Sequence, residues 1–279
     1  MLSIKVALLS KTKAVQLPDL AHVAGALTTQ VAHDFSPIWG VDATVTALPD
    51  HTKVPAGYWP IFLVDNLPPD EGGFHWTKHK QPFAEVEAND SWSLSASHEL
   101  IEMLVDPSGN RLVAGPELVV QGDQIVENPD KRVEYLVEAC DPCEAPDFAY
   151  LIEDVVVSDF FTPHFHDPVV SPGTRYSFTG ALTKPREVRK GGYISWSDPA
   201  TDKMMQIQYF DNPQLVDLSQ KSAARDSESL REYVNRAEGA RSRAFSRIPN
   251  NHKLARMQMT RRGASARAAG YKAETYTRG

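Results

Sequence analysis

Cysteine is almost absent: Cys140 and Cys143 are the only two in 279 residues, too few for a disulfide-stapled scaffold. Long apolar runs are missing too. No stretch approaches the ~18 consecutive apolar residues of a membrane span, so no membrane contact is expected. The apolar stretch within Met1–Ser10 is too short and interrupted for a signal peptide. It reads as a first strand, and the expected location is the cytoplasm, or outside the cell by a route without a visible leader. No internal repeat is visible. What remains, 42% hydrophobic and 23% charged, is an ordinary globular composition, and the length suffices for one large domain or two small ones.

Charge is distributed unevenly. Residues 216–279 carry 14 Lys/Arg against 6 Asp/Glu, whereas residues 1–215 carry 15 against 30. An acidic body with a basic tail is expected to use that tail on a protein, on its own body or on nucleic acid. Leu230, Tyr233, Val234, Ala237 and Phe245 mark one face of a tail helix. Ser229 and Glu232 have capping-box spacing, and Glu232 and Arg236 form an i,i+4 pair. Docking on protein is therefore favoured over nucleic acid. Residues 250–279 have few aliphatics and are expected to be disordered alone. The tail as a whole is expected to contribute little burial.

The body alternates element types. Residues 4–9 read as a strand. Leu20, Val23, Ala24, Leu27 and Val31 recur at helical spacing over 18–34, with Pro18 in the first turn and Ser36-Pro37 as the stop. Residues 43–48 and 60–65 read as strands, and a loop follows from Pro68 to Gly73. His75 and His79 flank Trp76 before the next strand; they either line a cleft or, as loop histidines usually do, lie on the surface. Residues 82–87 alternate apolar and polar, and Pro82 points to an edge position. Trp92–Val105 reads as a helix apolar nearly all round, hence buried, stopped by Asp106-Pro107-Ser108-Gly109. Short strands are expected at 117–121, 133–138 and 150–158. Residues 159–215 give no clear pattern beyond hairpin aromatics at Tyr193 and Trp196.

The chemistry concentrates in that buried helix, in Ser97-His98-Glu99-Leu100-Ile101-Glu102. Positions i and i+4 share a helix face, so His98 and Glu102 project together and can grip one divalent metal. Glu99, rotated by about 100°, sits beside the metal and is placed to take a proton from water. This is the mechanics of a His-Glu-x-x-His metalloprotease with the second His replaced by Glu. A further ligand is expected from the stretch after the apolar Tyr135-Leu136-Val137. Glu138 is the preferred ligand, with Asp141 holding the other ring nitrogen of His98; the reverse assignment stays open. A competing site pairs Cys140 and Cys143 with His164 and His166 around zinc.

These residues also carry a resemblance. Ser97-His98-Glu99-x-x-Glu102 with Asp106-Pro107, then Glu138-x-x-Asp141-x-Cys143, then Val157-Ser158-Asp159-Phe160, resembles a subgroup of zincin-like metallopeptidases over roughly residues 1–170. The order strand–helix–strand–strand–edge strand–helix is similar to the upper half of such enzymes. The resemblance implies a zincin-like α+β fold, a mixed twisted sheet with a buried active-site helix, and His98, Glu102 and Glu138 or Asp141 near zinc or another divalent transition metal. The expected organisation is an upper subdomain over 1–106, a smaller irregular lower subdomain over 107–215 and the basic tail over 216–279. The expected function is a metal-dependent hydrolase acting on a peptide or protein. Phe83, Ala84, Glu85 and Val86 would hold an extended substrate by strand addition. The alternative is a catalytically silent structural or assembly protein that keeps the fold and docks its tail on a protein or nucleic-acid partner.

Overall fold

The computed structural model describes residues 3–67, 72–78, 80–220 and 228–238, with 262, 263 and 266. It is a mixed α+β structure with two five-stranded sheets. The first sheet is built from β1 (Ile4–Ser10), β2 (Ala43–Ala47), β3 (Tyr58–Val64), β4 (Gly73–Lys78) and β5 (Gln81–Glu87), in the order β2-β1-β3-β5-β4. All neighbours run parallel except β4, which is antiparallel to β5. Val6, Ala7, Leu8 and Leu9 are all fully buried, as expected of a parallel strand covered on both faces.

Helix α1 (Leu17–Thr29) links β1 to β2, with Pro18 in its first turn. The stop expected at Ser36-Pro37 is absent. The chain continues as a π-helical stretch over Gln30–Phe35 and a final turn, α2 (Ser36–Trp39), which contains Pro37. Gly40, at φ +69°, ends it. Helix α3 (Trp92–Val105) matches its expected bounds, and every residue from Leu94 to Val105 is buried. It packs on β3, β4 and β5 on one side and on the short hairpin of β8 (Tyr150–Ile152) and β9 (Val155–Val157) on the other.

The lower part is more regular than its sequence indicates. β6 (Leu112–Gln121), β7 (Gln124–Leu136), β10 (Gly192–Asp198), β11 (Lys203–Tyr209) and β12 (Pro213–Asp217) form an antiparallel sheet in the order β12-β11-β10-β7-β6. Buried Ser195, Gln206 and Gln208 break the apolar pattern of its strands and pair with one another instead, Gln206 Nε2 donating to Ser195 Oγ at 2.9 Å. One hydrophobic cluster runs from Val6 through Ala96, Tyr135 and Phe161 to Ile207, so residues 1–106 and 107–215 share a core.

The described part of the tail is not detached. Helix α4 (Leu230–Glu238) buries Tyr233, Val234 and Ala237 against Leu136, Met204 and Leu218. Burying a side chain such as Val234 contributes about 1.5–3 kcal/mol, which overturns the expectation of little burial. The capping box forms: Ser229 N donates to Glu232 at 2.7 Å and Glu232 N donates to Ser229 Oγ at 3.1 Å. Arg236, however, pairs with Glu228 at 2.6 Å rather than with Glu232. Phe245 and most of residues 250–279 lie outside the described residues. No helix among the described residues is long and apolar enough to cross a membrane.

Candidate metal centre

Helix α3 starts where Asn89 Oδ1 accepts from Ser91 N at 2.8 Å. It stops where Asp106 accepts from Arg111 N at 2.6 Å. Between these points the helical spacing stacks His98 over Glu102, with Nε2 and Oε2 3.2 Å apart. Glu102 also accepts from Cys140 N at 3.1 Å through Oε1, which fastens the turn after β7 to the helix. That turn delivers Glu138 and Asp141. Ligand atoms of Glu102, Glu138 and Asp141 all lie within 4.8 Å of one another, and His98 forms a similar group with Asp141 and Glu144. The structure thus brings His98, Glu102, Glu138 and Asp141 to one place. Asp141 differs from its expected role in one respect. Its Oδ1 approaches Nε2 of His98 at 3.2 Å, the nitrogen that also faces Glu102, rather than the other ring nitrogen.

Two further residues join the pocket, the first of them one for which the sequence leaves cleft and surface open. His75 is buried on β4 rather than exposed in a loop. Its Nδ1 lies 3.0 Å from Glu99 Oε2 and 3.6 Å from Glu102 Oε2, and its Nε2 lies 3.7 Å from Glu138. Glu99 therefore sits between His75 and the backbone of Gly73, where a Cβ would fall 2.8 Å from Glu99 Oε1. His79 lies outside the described residues. The second is Arg231 on α4. Its guanidinium donates to Asp141 Oδ2 at 2.9 Å and lies 3.5 Å from Glu102 and 3.8 Å from Glu138. The signal for His75 was the run Phe74-His75-Trp76-Thr77, rich in strand-forming residues. Arg231 gave none, because its partners lie about a hundred residues away.

This pocket holds Glu99, Glu102, Glu138 and Asp141 against His75, His98 and Arg231, all at 4% exposure or less. Burial is the largest influence on the His98 imidazole and opposes its charge, yet Glu102, Asp141 and Glu99 outweigh it and raise its pKa well above the ordinary value. The same contest depresses Glu102: burial pushes it up, but His98 and Arg231 pull it well down. Glu138 goes the other way. Burial, with Glu102 and Asp141 nearby, raises its pKa well above the carboxylate range despite Arg231. Asp141 is also raised, by burial and by Glu102, against the opposing pull of Arg231 and His98. The pocket sets four carboxyl groups against two imidazoles and one guanidinium. Both oxygens of Glu138, Oε2 of Glu102 and Nε2 of His75 have no hydrogen-bond partner among the described residues. Buried polar atoms in this state call for a further ion or water.

The expected substrate strand is corrected. β5 lies inside the sheet, its Ala84, Glu85 and Val86 paired with Ile61, Phe62 and Leu63 of β3 and with His75, Phe74 and Gly73 of β4. Phe83 faces Trp76 across the β4 pair, and Glu85 binds Lys11 at 2.6 Å. Residues 84–86 thus offer no free backbone edge, and Phe83 pairs with β4 alone. The hairpin strand β4, read as loop, holds the edge instead, and Pro82 precedes the β3 pairing that starts at Ala84. The competing zinc site is not assembled: His164 pairs with Asp167 at 2.8 Å, His166 packs on Phe161 and Tyr135, and both cysteines are free and buried. Compared with protein-family models, with curated proteins and with solved structures, the chain matches none.

Proposed function

We propose that the chain is a metal-dependent hydrolase of the zincin-like metallopeptidase type. The observation that carries this is the cluster of buried ligand atoms around Glu102, several of which have no hydrogen-bond partner among the described residues. Imidazole and carboxylate together suit zinc or another divalent transition metal, and the four carboxyl groups can balance its double positive charge. A helix under a mixed sheet with one antiparallel edge strand is consistent with the resemblance carried by the motif.

In this reading His98 and Glu102 hold the metal, with Glu138 and Asp141 completing its surroundings. A bound divalent ion supplies positive charge that polarises a peptide carbonyl and acidifies nearby water. The Glu99 carboxylate would take the proton from that water. His75, through Nδ1, keeps that carboxylate oriented. The apolar packing of α3 excludes bulk water, which strengthens each of these interactions.

The test is Glu99→Gln, which keeps shape and hydrogen bonding but cannot accept the proton. Against a peptide library, hydrolysis is expected to fall by roughly 10²–10⁴-fold with fold and metal content retained. Unchanged cleavage would remove Glu99 from the reaction. A second reading, the catalytically silent protein with a docking tail, is favoured by one observation: α4 already places a guanidinium among the same carboxylates.

A further inference from the structure

We propose that α4 is an internal plug of the acidic pocket: Arg231 and a divalent metal are alternative cations for Glu102, Glu138 and Asp141, and loading the metal displaces the helix. This rests on the metal-site reading above. Three observations carry it. The guanidinium is buried among the carboxylates and donates to Asp141 Oδ2 at 2.9 Å and, at 3.4 Å, to the Tyr193 hydroxyl, while its Nε has no hydrogen-bond partner among the described residues and lies 3.8 Å from Glu138. It occupies the pocket without satisfying it.

The anchoring of α4 is of the kind that can release. Its first turn is held by Arg231 N donating to Gly109 O and by Leu230 N donating to Asn110 Oδ1, each at 2.9 Å. Gly109, at φ +65°, leaves the space that the Cβ of Arg231 approaches, so the turn after α3 is shaped to receive this segment. Beyond that turn the helix lies on a small cluster of its own, Leu136, Met204 and Leu218, separate from the main core. Undocking it therefore opens the pocket without dismantling the body.

The third observation is access. With α4 docked, the side chains of His75, His98, Glu99, Glu102, Glu138 and Asp141 are each no more than 4% exposed. A peptide carbonyl cannot reach Glu99 in this state. Arginine suits the plugging role because its planar fork spans several carboxylates at once. A plug docked in 90–99% of molecules weakens apparent metal affinity by roughly 10–100-fold.

The experiment uses the full-length chain, metal-stripped, as wild type, Arg231→Gln and Val234→Asp. The last undocks α4 through its fully buried valine without touching a carboxylate. Zinc affinity is measured by competition with a chromophoric chelator, and amide exchange over 230–238 is followed with and without zinc. Both variants are expected to bind zinc roughly tenfold tighter or better, and zinc is expected to speed exchange across α4 in the wild type. Equal or weaker binding in folded variants, or α4 exchange slowed by zinc, overturns the plug. Failure of both variants to fold with or without zinc overturns it too, since α4 would then be structural. Absence of zinc binding in all three folded proteins removes the metal-site reading itself, which separates the two failures.

Discussion

Gly73→Ala offers a sharp test of the buried pair beneath the pocket. The added methyl would lie 2.8 Å from Glu99 Oε1 and 3.0 Å from its Cγ, closer than real Cβ atoms come. Glu99 cannot simply swing aside, because it is buried and held at 3.0 Å from His75. Overpacking of this kind costs about 1–3 kcal/mol, and loss of a hydrogen bond to a charged group adds about 1.5–3 kcal/mol. With partial relaxation the net destabilisation is expected near 2–4 kcal/mol, roughly what these two effects allow together. Gly25→Ala is the control. Gly25 lies on the exposed face of α1 with nothing within 4 Å of the added methyl, and replacing a helical glycine there gains about 0.8–1 kcal/mol. The same chemical change thus has opposite signs at two sites. Urea unfolding followed by tryptophan fluorescence measures both. Equal shifts, or a neutral Gly73→Ala, would refute the placement of Glu99 between Gly73 and His75.

Two further expectations concern the frame. Ser97 Oγ donates to Gln30 at 2.7 Å and accepts from Ser158 N at 2.9 Å, so Ser97→Ala strands two buried groups and is expected to cost about 2–4 kcal/mol; a loss below 1 kcal/mol in urea unfolding would contradict this network. His166 is held near pKa 3 by burial, with Arg186 and Arg111 adding to it, against 6.5 ordinarily. The unfolded chain takes up a proton below pH 6.5 that the native ring refuses, so this contribution is intact above that pH and lost as pH falls toward 3. His166→Phe is expected to remove roughly 2–3 kcal/mol of the acid-induced loss between pH 6.5 and 4.5; an unchanged pH slope in the variant would count against it.

Much of the upper frame was legible because burial there follows simple periods. The all-round apolar character of Trp92–Val105 announced a buried helix, and its i,i+4 spacing brought His98 and Glu102 together. The nearby carboxylates were legible because Glu138 and Asp141 follow an apolar strand end. β4 was hidden because Gly72 and Gly73 look like loop and its histidine looks solvated. Missing that strand turned an interior strand, β5, into an apparent edge and misplaced the substrate contact. The lower sheet was obscured by Ser195, Gln206 and Gln208, whose polar side chains satisfy one another inside it. The helix at 230–238 was visible in its capping box and apolar stripe, but what Arg231 meets depends on Asp141 and Glu102, which only tertiary structure brings near.

In the proposed centre, His98, Glu102 and their neighbouring carboxylates hold a divalent metal. Elemental analysis of the purified full-length chain, alongside His98→Ala, Glu102→Ala and Arg231→Gln, tests it directly. About one transition ion per chain is expected in Arg231→Gln, at most that in the wild type, and loss in both ligand variants after dialysis. An ion retained by both ligand variants, or none in the wild type and Arg231→Gln alike, would contradict it.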